Sequence, residues 1–125
     1  MISSLELEEW VNAYIDAQSL PESPGIDDAL WWPLQKFFDL EIGDPESIWA
    51  AILLVIEETS AQKVIGGLAA GPLEDLIENH GVMWIDRIEL EARQNPKFRH
   101  LLGGVWQSST PAIWSRIEKA RVTSW

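Results

Sequence analysis

The chain has 125 residues, a formal net charge of −11 and no cysteine. This length predicts a single domain over residues 1–125 with room for a sizeable core. The acidity argues against binding nucleic acid or an anionic membrane through a basic surface, and the lack of cysteine excludes disulfides and thiolate metal sites. The first residues lack the pattern of a signal peptide, and the apolar run 48–56 is too short to span a bilayer, so we expect a cytoplasmic protein.

Acidic side chains are concentrated in the first half of the chain. Residues 1–58 contain 13 acidic side chains and one basic side chain, Lys36, whereas residues 59–125 contain seven acidic and eight basic ones. The chain also has eight tryptophans, against one tyrosine and three phenylalanines. This asymmetry predicts an acidic face formed by the first half.

The first two helices are indicated by start signals and apolar spacing. Ser3 and Glu6 form a possible capping box, and the apolar residues that follow have the helical period, which predicts a helix over about residues 4–18. The segment 20–25 is rich in turn residues and predicts a loop. Asp27 or Asp28 is expected to cap the second helix, which Pro33 should interrupt and restart.

Later helices begin with a capping residue followed by proline. This signal occurs at Asp44-Pro45, Asn95-Pro96 and Thr110-Pro111. The segment Gly71–Gly81 predicts a complete short helix, with Gly71 as its N-cap, Pro72 at its first position and Gly81 as its left-handed stop. The helix after Pro45 is apolar around most of its circumference and is the best candidate for a buried central helix.

No alternating pattern typical of a strand is present, so the sequence predicts an all-α fold. We expect a compact, irregular bundle of seven or eight short helices, with a HEAT-like stack of helical hairpins as the alternative. The four prolines at helix starts have no fixed period, which disfavours a true solenoid. The expected core includes Ile52, Leu53, Ile56, Leu68, Leu73, Leu76 and Ile77. We also expect Trp10, Trp49, Trp84 and Trp114 in the core.

Three motifs resemble those of a bacterial family of small helical domains of unknown function. They are Leu68–Ile77, which contains the sequence AAGPLEDLI; His80-Gly81; and Phe98–Trp106, which ends in GVW. Trp49–Leu53 adds to the resemblance, which covers about residues 44–120. It implies a bacterial or phage-borne helical domain, and it brings no assigned activity and no catalytic residues that could be carried over to this chain. The acidic first 40 residues lie mostly outside it.

The polar side chains that could form a metal or catalytic site have a structural explanation. Glu74, Asp75, Glu78 and His80 share one short helix, but acids in the first turn and a histidine in the last turn suit the helix dipole. We therefore expect no metal site there and no cofactor. The sequence has no glycine-rich phosphate loop and no nucleophile elbow, so we expect that the protein is not an enzyme.

The leading hypothesis is a protein-binding module, because an acidic surface with bulky aromatic side chains suits a basic protein partner. Its most concrete form is an immunity-type inhibitor that neutralises a basic toxin. The alternative is an acidic DNA mimic or anti-defence protein that blocks a nucleic-acid-binding enzyme. Neither hypothesis includes direct binding of nucleic acid or of a membrane. The predicted partner-binding residues are Glu22, Asp27, Asp28, Trp31, Trp32, Asp39 and Glu41.

Overall fold

The structure is a computed structural model that describes residues 2–125, and these residues form helices and loops without a β-strand. The α-helices are α1 (Ser4–Gln18), α2 (Trp32–Leu40), α3 (Pro45–Glu58), α4 (Gln62–Leu68), α5 (Glu74–Gln94), α6 (Pro96–Leu102) and α7 (Pro111–Arg121). A 3₁₀ turn, Ala29–Trp31, precedes α2, and a π-helical segment, Ala69–Leu73, joins α4 to α5. The predicted all-α class is confirmed, although the described residues form six continuous helical runs rather than seven or eight.

The helix-start signals of the sequence act as predicted. The Ser3 hydroxyl accepts a hydrogen bond from the backbone N–H of Glu6, and α1 begins at Ser4. The Asp44 carboxylate caps α3, the Asn95 side chain caps α6, and the Thr110 hydroxyl caps α7. Each of these three caps is followed by proline at the first helical position, where its missing N–H leaves no bond unmade.

The predicted short helix Gly71–Gly81 is wrong at both ends. Gly71 and Pro72 lie inside the π-helical segment, where the Glu74 N–H donates to the carbonyl of Ala69. The wider turn lets the helical run continue past a proline that would disrupt a regular α-helix. Gly81 does not end the helix either, because α5 continues to Gln94 with a kink at His80.

Gly81 is required by close packing rather than by a left-handed conformation. No glycine in residues 2–125 has a positive φ angle. A Cβ atom on Gly81 would lie 3.0 Å from Oγ of Ser109 and 3.1 Å from Cγ2 of Ile113. A glycine at this position is compatible with either close packing or a left-handed conformation, and the sequence does not show which of the two applies.

The described chain divides into two compact units, of which the first ends at Ile65 and the second comprises Gly66–Trp125. In the N-terminal unit, α1 packs on α2 and α3. The rings of Trp10 and Tyr14 lie 4.5 and 5.1 Å from that of Phe37, and the indole N–H of Trp10 donates to the Pro33 carbonyl. Burial of Tyr14 raises its pKa to about 12, although a hydrogen bond with Gln18 acts in the opposite direction.

The C-terminal unit is built around α5, which packs on α6 and α7. Its fully buried side chains include Leu73, Leu76, Ile77, Ile88, Phe98, Leu101 and Leu102. All the predicted core residues are buried except Leu53, which is half-buried. Trp10, Trp49, Trp84 and Trp114 are buried, as expected. A single domain over the whole chain stays a prediction.

None of the helices between residues 2 and 125 has the length and apolar character needed to cross a membrane. The cytoplasmic location stays a prediction.

Candidate partner-binding surface

The predicted partner-binding residues all lie in the N-terminal unit, in the loop after α1, the 3₁₀ turn, α2 and the position directly after α2. We call this set of seven residues the acidic aromatic surface. Glu22, Asp27, Asp28, Trp32 and Asp39 are exposed, whereas Trp31 and Glu41 are partly buried. Neither Trp31 nor Trp32 is buried, and 46% of Trp32 is exposed; the two side chains diverge because neighbouring residues on a helix are about 100° apart.

Four of these residues line one shallow groove with a volume of about 440 Å³, namely Asp28, Trp31, Trp32 and Asp39. The other lining residues are Ala29, Gln35 and Lys36. The groove therefore has two indole rings and a carboxylate from each of two elements, the loop before the 3₁₀ turn and α2. Glu22, Asp27 and Glu41 do not line it.

One side of the groove is fixed by a chain of hydrogen bonds along α2. The indole N–H of Trp31 donates to Oε1 of Gln35 over 2.8 Å, and the Gln35 amide nitrogen donates to Oδ1 of Asp39 over 3.0 Å. These residues are four positions apart, so they lie on one face of the helix. The indole is a donor only, which requires Gln35 to turn its oxygen towards Trp31 and its NH₂ group towards Asp39. The chain thus orients both the ring and the carboxylate.

The loop side of the groove is held by a cap. Oδ1 of Asp28 accepts a hydrogen bond of 2.9 Å from the backbone N–H of Leu30. This bond caps the start of the 3₁₀ turn. Because Asp28 is also exposed, its charge contributes to the potential around the groove while its position is fixed by the turn.

Exposed apolar side chains occur in the same segment as the acidic residues. Ile26 is 72% exposed, Ile42 is 88% exposed, and Leu30 and Phe38 are about half exposed. The ring of Phe38 stacks on that of Trp31, with centroids 6.2 Å apart and an angle of 20° between the planes. Exposed apolar side chains concentrated in one segment are typical of an interaction site.

Sequence reasoning missed Gln35, Lys36 and the exposed apolar residues. The spacing of Trp31, Gln35 and Asp39 at four-residue intervals was a usable signal, since it places an indole, an amide and a carboxylate on one helix face. Exposure of Phe38 had no such signal, because an apolar residue on a short helix is normally assigned to the core.

Two acids on α5, Glu74 of the AAGPLEDLI motif and Glu78 directly after it, have partners within the C-terminal unit. The Glu74 carboxylate accepts a hydrogen bond from the backbone N–H of Trp106, and Oε2 of Glu78 accepts one of 2.6 Å from the backbone N–H of Ser109. Both acids therefore hold the loop between α6 and α7. Among residues 2–125 no group of three or more histidine, aspartate or glutamate side chains is arranged to hold a metal ion.

The GVW motif presents an exposed tryptophan on that loop. Trp106 is 76% exposed, while its neighbour Val105 is buried and its carbonyl accepts a hydrogen bond of 3.0 Å from Arg121. The loop is thus bonded to both α5 and α7.

A model of a family of unknown function, DUF6869, matches residues 21–125 of the chain. This span reaches further towards the N-terminus than the resemblance seen over residues 44–120, so the groove and the whole acidic aromatic surface lie inside it. No curated protein and no solved structure shows significant similarity to the chain.

Proposed function

The chain belongs to the family of unknown function DUF6869, and we propose from its own surface chemistry that it is a non-enzymatic protein-binding module whose partner is a basic protein. The binding site is the acidic aromatic surface. The most concrete form of this proposal is a bacterial, cytoplasmic immunity-type protein that neutralises a basic toxin.

The observation that supports this proposal is the mixture of acidic and apolar side chains on one segment. Asp27 and Asp28 adjoin Ile26 and Leu30, and on α2 the carboxylate of Asp39 follows Phe38, which is 56% exposed. In protein interfaces, apolar and aromatic side chains at the centre supply most of the affinity, and charges at the rim steer the encounter. The segment contains both classes of residue.

The same mixture favours a protein partner over mimicry of DNA. A DNA mimic needs carboxylates in a regular array, because they replace phosphates at a fixed spacing along a strand. Along residues 26–42, indole, phenyl and aliphatic side chains are instead interspersed between the carboxylates. The DNA-mimic hypothesis stays as the alternative outcome of the experiment below.

The experiment captures partners from the native host on immobilised wild-type protein and on the double variant Trp32→Ala, Asp28→Lys. Trp32 is half-exposed and Asp28 is exposed, so neither substitution removes a core contact; because Asp28→Lys also removes the cap of the 3₁₀ turn, circular dichroism is used to establish that the variant remains folded. A matched control is Trp106→Ala, Glu118→Lys, which removes an exposed indole and reverses an exposed charge in the C-terminal unit. We expect wild type and the control to retain one basic protein and the first variant to lose it.

The hypothesis of an immunity-type protein predicts a further result. Co-expression with the captured protein should prevent its toxicity, and the Trp32→Ala, Asp28→Lys variant should fail to do so. Equal capture of the partner by all three proteins would place the interface elsewhere. Capture of a nucleic-acid-binding enzyme that DNA displaces competitively would instead favour mimicry.

A further inference from the structure

The groove between the 3₁₀ turn and α2 has the groups that recognise a planar cation. Its lining contains the Trp31 and Trp32 rings and the carboxylates of Asp28 and Asp39. A cation is attracted to the face of an indole, and a guanidinium also pairs with a carboxylate through two parallel hydrogen bonds. The groove presents both kinds of acceptor within one small volume.

The Asp39 carboxylate is prepared for such a ligand. The Gln35 amide donates to its Oδ1, which limits the rotation of the carboxylate before any ligand arrives. A carboxylate has acceptor sites on both oxygens, so one bond from Gln35 leaves capacity for a bidentate partner. Preorganisation of this kind lowers the entropy that is lost on binding.

The basic residue of the groove is directed to another ring. Lys36 lines the groove, but its ammonium nitrogen lies 5.5 Å from the ring centroid of the buried Trp10. Over residues 22–41, five acidic side chains outnumber this single basic one. The local charge is therefore complementary to a cation even though a lysine is present.

Within the chain itself, guanidinium groups already pack on indole rings. The Arg87 guanidinium carbon lies 4.2 Å from the Trp84 ring centroid, and that of Arg121 lies 4.9 Å from the centroid of Trp114. Both distances are shorter than the 5.5 Å of the Lys36 ammonium over Trp10. A guanidinium stacks on an indole and is more weakly hydrated than an ammonium, which favours arginine over lysine in a groove of this composition.

We propose that the groove is an arginine-recognition site, in which an arginine side chain of the basic partner stacks on the Trp32 indole and pairs with the Asp39 carboxylate. This inference rests on the proposed function and specifies the chemistry of the partner at that surface. Asp28 and the exposed apolar side chains around the groove contact the rest of the partner.

The test uses two tripeptides that differ only in the cation, Ac-Gly-Arg-Gly-NH₂ and Ac-Gly-Lys-Gly-NH₂, titrated into the full chain labelled with ¹⁵N at low salt. The readout is the set of indole N–H signals, assigned by single tryptophan substitutions. We expect a saturable shift of the Trp31 and Trp32 signals, with binding of the arginine peptide about fivefold tighter than binding of the lysine peptide.

Three variants test whether the arginine peptide binds in this groove. Asp39→Asn keeps the size and the acceptor oxygen but removes the charge, and it should weaken binding of the arginine peptide by about fivefold or more. Lys36→Gln removes the like charge and should tighten binding about twofold, an effect that misfolding does not produce. Trp106→Ala changes an exposed indole outside the N-terminal unit and should leave the affinity unchanged.

Absence of a saturable shift, equal affinity for the two peptides, or a shift that Asp39→Asn leaves intact would overturn the arginine assignment. The two proposals fail separately. If partner capture requires Trp32 and Asp28 but the arginine peptide does not bind, protein binding stands and the arginine site is wrong. If the arginine peptide binds selectively but partner capture is independent of this surface, the groove chemistry stands and the proposed function is wrong.

Discussion

The carboxylate of Glu78 on α5 accepts a 2.6 Å hydrogen bond from the backbone N–H of Ser109, which lies 31 positions later in the chain. Ser109 has a φ angle of 63°, an uncommon conformation for a residue other than glycine. The acid directly after the AAGPLEDLI motif therefore holds a strained position in the loop that follows the GVW motif. The first prediction concerns this hydrogen bond.

Glu78→Ala should destabilise the C-terminal unit, because the backbone N–H of Ser109 loses its acceptor. The bond is charge-assisted but exposed to solvent, so we expect a loss of about 1 kcal/mol in the free energy of unfolding. Glu78→Gln retains an acceptor oxygen and should lose less. Urea unfolding followed by circular dichroism measures the free energy of unfolding of both variants, with Glu118→Gln on α7 as the control. A Glu78→Ala variant as stable as wild type would show that the bond contributes nothing.

Glu74→Gln should raise stability at neutral pH and leave it unchanged in acid. Burial raises the pKa of Glu74 above its ordinary value of 4.5; the N–H of Trp106 opposes this shift, and the charge of Glu78 adds to it. Because the folded pKa is above the unfolded one, the protonated carboxyl stabilises the fold below pH 4.5, and this contribution is lost as the pH rises through the folded value. The urea midpoints of wild type and Glu74→Gln are compared at neutral pH and well below pH 4.5. A lower midpoint for the variant at neutral pH would contradict the prediction.

Gly104→Ala should destabilise the C-terminal unit through contact with Trp125. A Cβ on Gly104 would lie 2.5 Å from Cη2 of Trp125 and 3.0 Å from Cβ of Ala69. We expect a loss of about 1–3 kcal/mol, typical of overpacking. In a Trp125→Ala background part of this loss should disappear, which a double-mutant cycle detects. Gly71→Ala is the control, since nothing lies within 4 Å of its Cβ position; equal losses in both backgrounds would exclude the Trp125 contact as the cause.

Leu76→Ala should leave a cavity in the C-terminal core. Leu76 is fully buried on α5, and truncation of a buried leucine costs about 2–5 kcal/mol. The decrease in the free energy of unfolding is measured with urea, and Leu90→Ala on the same helix serves as the control because Leu90 is 49% exposed. A loss no larger than that of the control would mean that the site collapses around the alanine.

Titration calorimetry with magnesium, calcium, manganese and zinc should detect no tight stoichiometric binding. In the part of the chain that the structure describes, no group of three or more histidine, aspartate or glutamate side chains is arranged to hold a metal ion, and the carboxylates of Glu74 and Glu78 are directed to backbone N–H groups of the loop between α6 and α7. Saturable binding that Glu78→Ala abolishes is the result that would refute this prediction.

The sequence predicts the helices of this fold better than their continuity. Asp44, Asn95 and Thr110 cap their helices as expected, because a cap depends on atoms only two or three residues away. The roles of Gly71, Pro72 and Gly81 were predicted incorrectly. A glycine that meets a tight contact looks the same in sequence as one that ends a helix, and the contact of Gly81 is with Ser109 and Ile113, far along the chain.

The candidate site was also predicted only in part, because some of its features depend on local sequence and others depend on packing and side-chain conformation. The exposed acids and the divergence of Trp31 and Trp32 follow from composition and from the 100° step between helical neighbours. The Trp31–Gln35–Asp39 chain of bonds depends on rotamers, and the exposure of Phe38 depends on which elements pack on α2. Neither is determined by local sequence.

The π-helical segment Ala69–Leu73 has a consequence for comparison between members of the family. A π turn contains one residue more than the α-helical turn that it replaces, so in an alignment this segment behaves as a single-residue insertion within a helix. Proline in a regular helix interior costs about 3 kcal/mol. Relatives that lack the inserted residue are therefore expected to lack the proline at position 72 as well, and the two differences should be inherited together.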